Sequence, residues 1–267
     1  MSRLHGENLT LGYDQRVVAT DLTVAIPTGS FTAIVGPNAC GKSTLLKAMA
    51  RMIKPRAGAV YLDGAEIATY KAHEVARRLG LLPQTSVAPA GISVADLVAR
   101  GRYPHQRLLR QWSREDETIV TDAMAATGVL DLAGRLVDEL SGGQRQRVWL
   151  AVVLAQQTPI LLLDEPTTYL DIAHQLEVLD LCADLHEGGA HTVVAVLHDL
   201  NQAFRYATHV VVLRPGGMVA AEGAPADIVT AELIEDVFGL GCRVIDDPET
   251  GTPMIVPTAR RGAALRT

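Results

Sequence analysis

The chain contains few cysteines: Cys40, Cys182 and Cys242 are the three among its 267 residues. Their small number and wide spacing exclude a disulfide framework and a cysteine-based zinc site, so we expect reduced thiols. Aromatic residues are also scarce, at 4% of the chain, although 48% of the residues are hydrophobic. We therefore expect a core of leucine, valine, isoleucine and alanine, in a chain long enough for one large or two small domains.

Long hydrophobic runs and an excess of basic residues are missing as well. No run reaches the roughly 20 residues that a transmembrane helix needs, and residues 1–7 contain no apolar signal segment. The 24 Lys and Arg residues are outnumbered by 30 Asp and Glu residues, which leaves a net charge of -6. An acidic chain is poorly suited to neutralising phosphate backbones, so we expect no nucleic-acid partner. Contact with a membrane would have to come through another protein.

The hydrophobic pattern predicts an α/β fold. Alternating apolar residues at 9 and 11 and at 22, 24 and 26 indicate half-buried antiparallel strands. A strand at Phe31–Val35 is followed by a glycine-rich turn and by a helix whose apolar residues are Leu45, Leu46, Met49 and Met52. Nearly continuous apolar runs at Ile160–Asp164 and 192–197 predict buried parallel strands with a helix between them. Residues 210–214 and 218–221 indicate a β-hairpin.

These elements predict a single domain over residues 1–258. Its mostly parallel core sheet would be accompanied by an antiparallel β subdomain and by a helical insert at about residues 85–158. Residues 259–267 are rich in arginine and small residues, and we expect a frayed tail there.

A glycine-rich segment after the strand Phe31–Val35 matches the pattern GxxxxGK[ST]. It comprises Gly36, Pro37, Asn38, Ala39, Cys40, Gly41, Lys42, Ser43 and Thr44. Small residues let the backbone wrap around a polyphosphate, with N–H groups pointing inward at the start of a helix. We expect Lys42 to reach the β and γ phosphates and the Ser43 hydroxyl to ligate Mg²⁺. A plain glycine-rich turn is the alternative, and because kinases and GTPases share the pattern, it predicts nucleotide binding alone.

Two adjacent acids end the predicted strand Ile160–Asp164. A carboxylate at this position, Asp164, is placed to hold Mg²⁺ through water, and Glu165 is then placed to polarise an attacking water molecule. The alternative is a pair of acids that caps the N-terminus of the following helix. Together with the glycine-rich loop, the pair favours hydrolysis of a nucleotide.

A second glycine-bearing segment consists of Ser141, Gly142, Gly143 and Gln144. Ser141 is expected to cap a helix that starts near Gly143, and the two glycines leave the first N–H groups open to an anion. A glycine-rich helix cap without a ligand is the alternative. Two such helix starts, far apart in the sequence, suggest one nucleotide held between two chains.

In this order, the segments resemble the ATP-binding subunits of ABC transporters over nearly the whole chain. The resemblance implies ATP and Mg²⁺ as ligands, with Lys42, Glu165 and His198 as catalytic residues and His198 as a switch that contacts the γ phosphate. It further implies that Tyr13 stacks on adenine and that Gln84 senses Mg²⁺ and the membrane partner. Asp171 would bridge two subunits. Taken singly, each of these residues has an ordinary structural explanation.

The cysteine in the glycine-rich loop and the histidines other than His198 have structural interpretations that involve no catalytic or metal-binding role. Cys40 stands where many members of the resembled family have Gly or Ser, and either a tolerated small residue or a redox-sensitive thiol is compatible with this position. The seven histidines other than His198 show no shared metal-ligand spacing, and we expect solvated or core side chains.

Within that family, the chain is similar to the ATPases of bacterial ferric-siderophore importers, the ferric-enterobactin type above all. The similarity lies in residues 101–105, 145–149, 165–175 and 197–203, and in the tail at 244–253. Tyr169 departs from the small residue that other ABC families have there. The resemblance implies a head-to-tail homodimer that binds transmembrane permease subunits at the cytoplasmic face of the cell membrane. A substrate-binding protein would be an indirect partner.

Other functions stay open at this point. An importer of haem, vitamin B12 or another metal chelate would use the same motifs, because the ATPase does not touch the cargo. Soluble ABC ATPases acting on DNA or ribosomes usually carry long coiled coils or two cassettes, and the sequence has one cassette and no heptad run. The Ser141–Gln144 segment argues against a kinase, and the missing Asn-Lys-x-Asp motif argues against a GTPase.

Overall fold

The computed structural model describes residues 2–14, 16–106, 112–187, 189 and 191–258, so the predicted tail at 259–267 lies outside the described residues. The strands are β1 (Ser2–Tyr13), β2 (Arg16–Pro27), β3 (Phe31–Val35), β4 (Ala57–Leu62), β5 (Ala65–Glu66), β6 (Leu79–Leu82), β7 (Ile160–Asp164), β8 (Thr192–Val196), β9 (His209–Arg214), β10 (Met218–Gly223), β11 (Cys242–Asp246) and β12 (Pro253–Pro257). The α-helices are α1 (Lys42–Met49), α2 (Ala72–Ala76), α3 (Val94–Ala99), α4 (Arg114–Ala126), α5 (Gly142–Ala155), α6 (Ile172–Glu187), α7 (Leu200–Tyr206), α8 (Pro225–Ile228) and α9 (Ala231–Phe238). Short 3₁₀ helices cover Ile67–Thr69, Arg100–His105, Leu130–Leu132 and Val137–Glu139.

The central sheet has the strand order β10-β9-β3-β8-β7-β6. Its strands run parallel except for β10, which pairs antiparallel with β9 in the predicted hairpin. Every residue of β3, β7 and β8 is buried. Packing against both faces of the sheet explains why these strands lack the alternation of half-exposed ones. The predicted α/β fold with a mostly parallel core sheet is confirmed.

The register of the parallel strands brings their carboxyl ends to one edge of the sheet. Leu82 of β6 pairs with Leu163 of β7, Asp164 pairs with Val196 of β8, and Val196 pairs in turn with Ile34 of β3. The loops that leave these strands therefore meet at this edge, which is the usual ligand-binding edge of an open parallel sheet.

The antiparallel sheet, ordered β2-β1-β4-β5, packs its apolar face on α1. The alternating residues of β1 and β2 are buried there as predicted, beside Leu45, Leu46 and Met49. The predicted extension of this helix to Met52 is wrong. Arg51 adopts a left-handed backbone (φ 59°), and the N–H groups of Arg51 and Met52 donate to the carbonyls of Ala48 and Lys47. This Schellman-type ending terminates α1 at Met49 and leaves Met52 66% exposed.

The helices α3 to α5 lie between β6 and β7 in sequence and share their own apolar core, which includes Leu97, Val120 and Val148. A buried ion pair joins two of its parts, with Arg102 Nε 2.9 Å from Asp116 Oδ1. Burial alone would raise the pKa of Asp116, but hydrogen bonds from Ser113 and Arg102 outweigh it and hold that pKa below its usual value. The 3₁₀ segment Arg100–His105 is thereby tied to α4.

The strands β11 and β12 form a separate antiparallel hairpin that packs on α7. Among the described residues, no helix combines the length and apolar character needed to cross a bilayer.

Candidate functional site

The loop between β3 and α1 depends on glycine at two places. Gly36 (φ 157°) and Gly41 (φ 107°) adopt conformations that side chains disfavour, and a Cβ at Gly36 would lie 2.4 Å from the carbonyl oxygen of Leu213. Gly41 is the N-cap of α1 and has no side chain to close the helix start. The first turn of α1 also lacks acidic residues, so its free N–H groups form an anion-binding site.

Lys42 folds back over this loop. Its side chain is buried, at 5% exposure, and Nζ donates to the carbonyls of Gly36 (2.8 Å) and Pro37 (3.0 Å). Backbone carbonyls are weaker acceptors for an ammonium group than phosphate oxygens are. The lysine is thus held beside the anion-binding site, where it can exchange these hydrogen bonds for hydrogen bonds to a phosphate.

Ser43 and Asp164 meet across the site. Ser43 Oγ donates to Asp164 Oδ1 at 2.7 Å, while Asp164 Oδ2 is buried and has no hydrogen-bond partner among the described residues. Burial raises the pKa of Asp164, and the bond from Ser43 opposes that rise. A hydroxyl beside a carboxylate with an unpaired oxygen is a donor set suited to Mg²⁺. The residues fit the ion that the sequence pattern predicts.

Glu165 and His198 form the second pair at this edge, with 2.7 Å between Glu165 Oε1 and His198 Nε2. Thr168 Oγ1 donates to Glu165 Oε2 at 3.2 Å, and the Gln84 side chain also hydrogen-bonds this carboxylate. Burial by itself would raise the pKa of Glu165, but the bonds from His198 and Gln84 outweigh it and lower that pKa. The group is therefore a carboxylate at neutral pH.

A cavity of about 260 Å³ opens above these groups. Its lining comprises Tyr13, Arg16, Val18, Asn38, Ala39, Gly41, Lys42, Ser43, Thr44, Glu165 and His198. Tyr13, Glu165, His198 and six residues of the glycine-rich loop, which were predicted from separate segments, are thus brought together. Arg16 and Val18 were missed, because they belong to no motif and reach the cavity through the pairing of β2 with Tyr13 at the end of β1.

Four residues predicted for the nucleotide and metal do not line this cavity: Gly36, Cys40, Gln84 and Asp164. Gln84 belongs to a neighbouring groove and reaches the site through Glu165. Cys40 is fully buried beneath the loop and belongs to the core that contains Leu45. Burial raises the pKa of its thiol, against the influence of Lys42. The side chain of Cys40 therefore acts as packing under the loop.

The second glycine-bearing segment forms the N-terminus of α5. Ser141 is the N-cap: its Oγ accepts from the N–H of Gln144 (3.2 Å), and Gln144 Oε1 accepts from the N–H of Ser141 (3.1 Å). This capping box confirms the predicted helix start. The adjoining cavity, of about 300 Å³, is lined by Ser141, Gly142, Gly143, Gln144, Arg147, Tyr169, Leu170, Asp171 and His174.

The two cavities share no lining residue, so within one chain each helix start borders its own cavity. Asp171 lies in the second cavity, where its Oδ1 is 2.7 Å from His174 Nδ1 and accepts from the His174 N–H at the start of α6. Asp164 and Glu165 cap no helix, because α6 begins only at Ile172. His174 was missed as a site residue, although its spacing of three from Asp171 on a helix was a usable signal.

Comparison with known proteins agrees with this geometry. Residues 19–168 match the family model described as ABC transporter. The chain is 58% identical over 260 residues to the ferric enterobactin transport ATP-binding protein FepC of Escherichia coli (strain K12), which covers 97% of this chain and 96% of that protein. It is 50% identical over 260 residues to the probable siderophore transport ATP-binding protein YusV of Bacillus subtilis (strain 168), with 97% and 94% covered.

Another relative is the hemin import ATP-binding protein HmuV of Nocardia farcinica (strain IFM 10152). It is 45% identical over 242 residues, which are 91% of this chain and 83% of that protein.

Solved structures show the same fold. A putative metal-chelate type ABC transporter in an inward-facing conformation superposes with a TM-score of 0.80 at 30% identity, covering 96% of this chain and 97% of that one. A dimeric bacterial ABC transporter cassette superposes with a TM-score of 0.75 at 27% identity, covering 83% and 98%. By its matched domain, its relatives and its fold, this chain belongs to the ABC transporter family, as an ATP-binding subunit.

Proposed function

We propose that this chain hydrolyses ATP to drive the import of ferric siderophores through a membrane permease. The relatives at 58% and 50% identity support the cargo. The observation that supports a nucleotide site shared between two chains is the presence of two cavities, each beside a helix start, that have no lining residue in common. Two copies arranged head to tail would place one chain's Ser141–Gln144 segment over the other chain's glycine-rich loop. A nucleotide would then be enclosed on both sides.

The binding roles follow from the local geometry. The N–H groups at the start of α1 would hold the phosphates, together with the loop residues Asn38 to Thr44, and Lys42 would exchange its carbonyl bonds for the β and γ phosphates. Tyr13, 44% exposed beside the cavity, would stack on adenine. Ser43, Asp164 and Gln84 would hold Mg²⁺, which neutralises charge on the phosphates when it is bound.

The hydrolytic step would depend on Glu165 and His198. The Glu165 carboxylate, kept ionised by its hydrogen bonds, would orient and polarise the attacking water. His198, the more exposed member of the pair, orients the carboxylate in this structure and would turn toward the γ phosphate when ATP is bound. Asp171 would meet the partner subunit, since its side chain lies in the second cavity and is largely exposed.

The permease would bind at the cytoplasmic face of the membrane, where the ATPase dimer is a peripheral component. Closure of the dimer around ATP and its opening after hydrolysis would bias two arrangements of the permease. A substrate-binding protein on the other side of the membrane would deliver the chelate.

Mixing two inactive variants tests whether the site is shared between chains. Lys42→Ala damages the first half of the site and Ser141→Arg blocks the second, so neither homodimer is expected to turn over ATP. A mixture of the two proteins is expected to recover turnover, because a heterodimer contains one site built from two intact halves. Phosphate release is measured for each variant and for the mixture.

Nucleotide sites contained within one chain would give no recovery on mixing, and that result would contradict the shared site. The control is a mixture of Lys42→Ala with Lys42→Ala/Ser141→Arg, in which no dimer contains an intact site.

Haem import is the second candidate, because a hemin import protein is 45% identical over 91% of this chain. A cell strain that depends on this chain is expected to take up iron from ferric enterobactin when the chain is wild type. When the chain carries Glu165→Gln, haem uptake is expected to be unchanged. Loss of haem uptake with intact siderophore uptake would reverse the assignment.

A further inference from the structure

Two glutamines outside the cavities join the loops on which Glu165 and His198 depend. Gln175 lies in the first turns of α6, after the loop that contains Glu165 and Asp171, and Gln202 lies in the first turn of α7, after His198. The Gln202 amide Nε2 donates to Gln175 Oε1 at 3.0 Å. We call this pair the glutamine bridge.

On one side, the glutamine bridge binds the backbone of the loop after Glu165. Gln175 Nε2 donates to the carbonyls of Leu170 (3.0 Å) and Thr167 (3.4 Å). These two acceptors decide the orientation of the amide, because a flipped Gln175 would point its oxygen at both carbonyls. The loop needs such support, since Glu165 (φ 56°) and Tyr169 (φ 67°) both adopt left-handed conformations without being glycine.

On the other side, the glutamine bridge ends on a helix that is firmly anchored. The hairpin β11–β12 holds α7 through Asn201, which exchanges two hydrogen bonds with the backbone of Ile255 (2.7 and 3.2 Å). Arg205 donates twice to Asp247, whose carboxylate is buried. Asp199 caps the helix by accepting from the N–H of Gln202. Because α7 is fixed by these contacts, the glutamine bridge restrains the loop at 165–171.

We propose that the glutamine bridge positions Glu165 against His198 by tying the loop at 165–171 to α7. Gln175 and Gln202 are positioning residues in this proposal, because neither lines the nucleotide cavity. The catalytic consequence rests on the proposed function. The mechanical coupling of the loop to α7 does not.

The test compares Gln175→Ala, Gln202→Ala and the double variant with a matched control, Tyr206→Phe. Tyr206 also links α7 to α6, since its hydroxyl donates to Asp180 at 2.7 Å, but it does so away from both loops. Each alanine variant is expected to lower kcat about tenfold with little change in KM for ATP. The double variant is expected to be no worse than either single one, because the two residues act as one unit. Tyr206→Phe is expected to keep kcat.

Hydrogen exchange without nucleotide supplies a readout that does not depend on turnover. Gln202→Ala, although located on α7, is expected to speed exchange in the peptide that covers residues 165–171 about fivefold, and Tyr206→Phe is expected to leave it unchanged. Gln175→Glu still accepts from Gln202 but no longer donates to the loop, so it is expected to behave like Gln175→Ala.

Unchanged exchange in Gln202→Ala, or an equal effect of Tyr206→Phe, would overturn the coupling. A wild-type chain that shows the coupling but hydrolyses no ATP would overturn the proposed function and leave the coupling standing. Coupling together with normal kcat in the alanine variants would overturn the catalytic part of the inference.

Discussion

Glu165→Gln is expected to reduce ATP turnover by a factor of about 10² to 10⁴ while nucleotide binding is retained. The amide has nearly the same shape as the carboxylate and still accepts a hydrogen bond from His198, so the site keeps its geometry. It has no charge with which to polarise water. In the wild type, hydrogen bonds from His198 and Gln84 lower the pKa of Glu165 and keep it ionised. Glutamine has no ionised form, so these bonds no longer stabilise a negative charge at this position.

Phosphate release under saturating ATP measures turnover, and titration with a fluorescent ATP analogue measures binding. Glu177→Gln, on an exposed part of α6, removes the same charge away from the site and serves as the control. Retained turnover in Glu165→Gln would refute its role as general base. Lost binding in the same variant would show that the carboxylate serves mainly to hold the nucleotide.

Lys42→Ala is expected to weaken binding of an ATP analogue about 100-fold, which corresponds to about 2.7 kcal/mol. In the wild type, hydrogen bonds to two carbonyls already hold Lys42 beside the anion-binding site, so the side chain loses little conformational freedom when it binds a phosphate. The substitution removes this cation. The lost energy is that of charge-assisted bonds in a partly buried setting.

Lys54→Ala, an exposed lysine just beyond α1, is the matched control and is expected to bind like the wild type. Because Lys42 also bonds the carbonyls of Gly36 and Pro37, thermal unfolding without nucleotide has to be compared as well. Normal affinity in Lys42→Ala would remove the lysine from the phosphate contacts. A loss of affinity matched by general unfolding would assign it a structural role instead.

Local sequence was enough to predict much of the candidate site. The glycine-rich loop, the acids after β7 and the capped start of α5 are each contiguous segments whose backbone requirements are visible in residue types: glycine at Gly36 and Gly41, and a serine cap at Ser141. The extent of α1 was harder to predict, because its end depends on the left-handed conformation of Arg51, a residue type that carries no special signal for it.

By itself, the sequence determined the main elements and predicted the candidate chemistry: which strands are buried, where the helices after the two glycine-bearing segments begin, and which side chains are suited to phosphate, cation and water. Tertiary structure alone decided the distances. Arg16 and Val18 reach the cavity through strand pairing, and Gln175 and Gln202 meet although they are 27 residues apart. Such contacts depend on strand order and helix packing, and the energy that selects these arrangements is spread over the whole core, so no short segment encodes them.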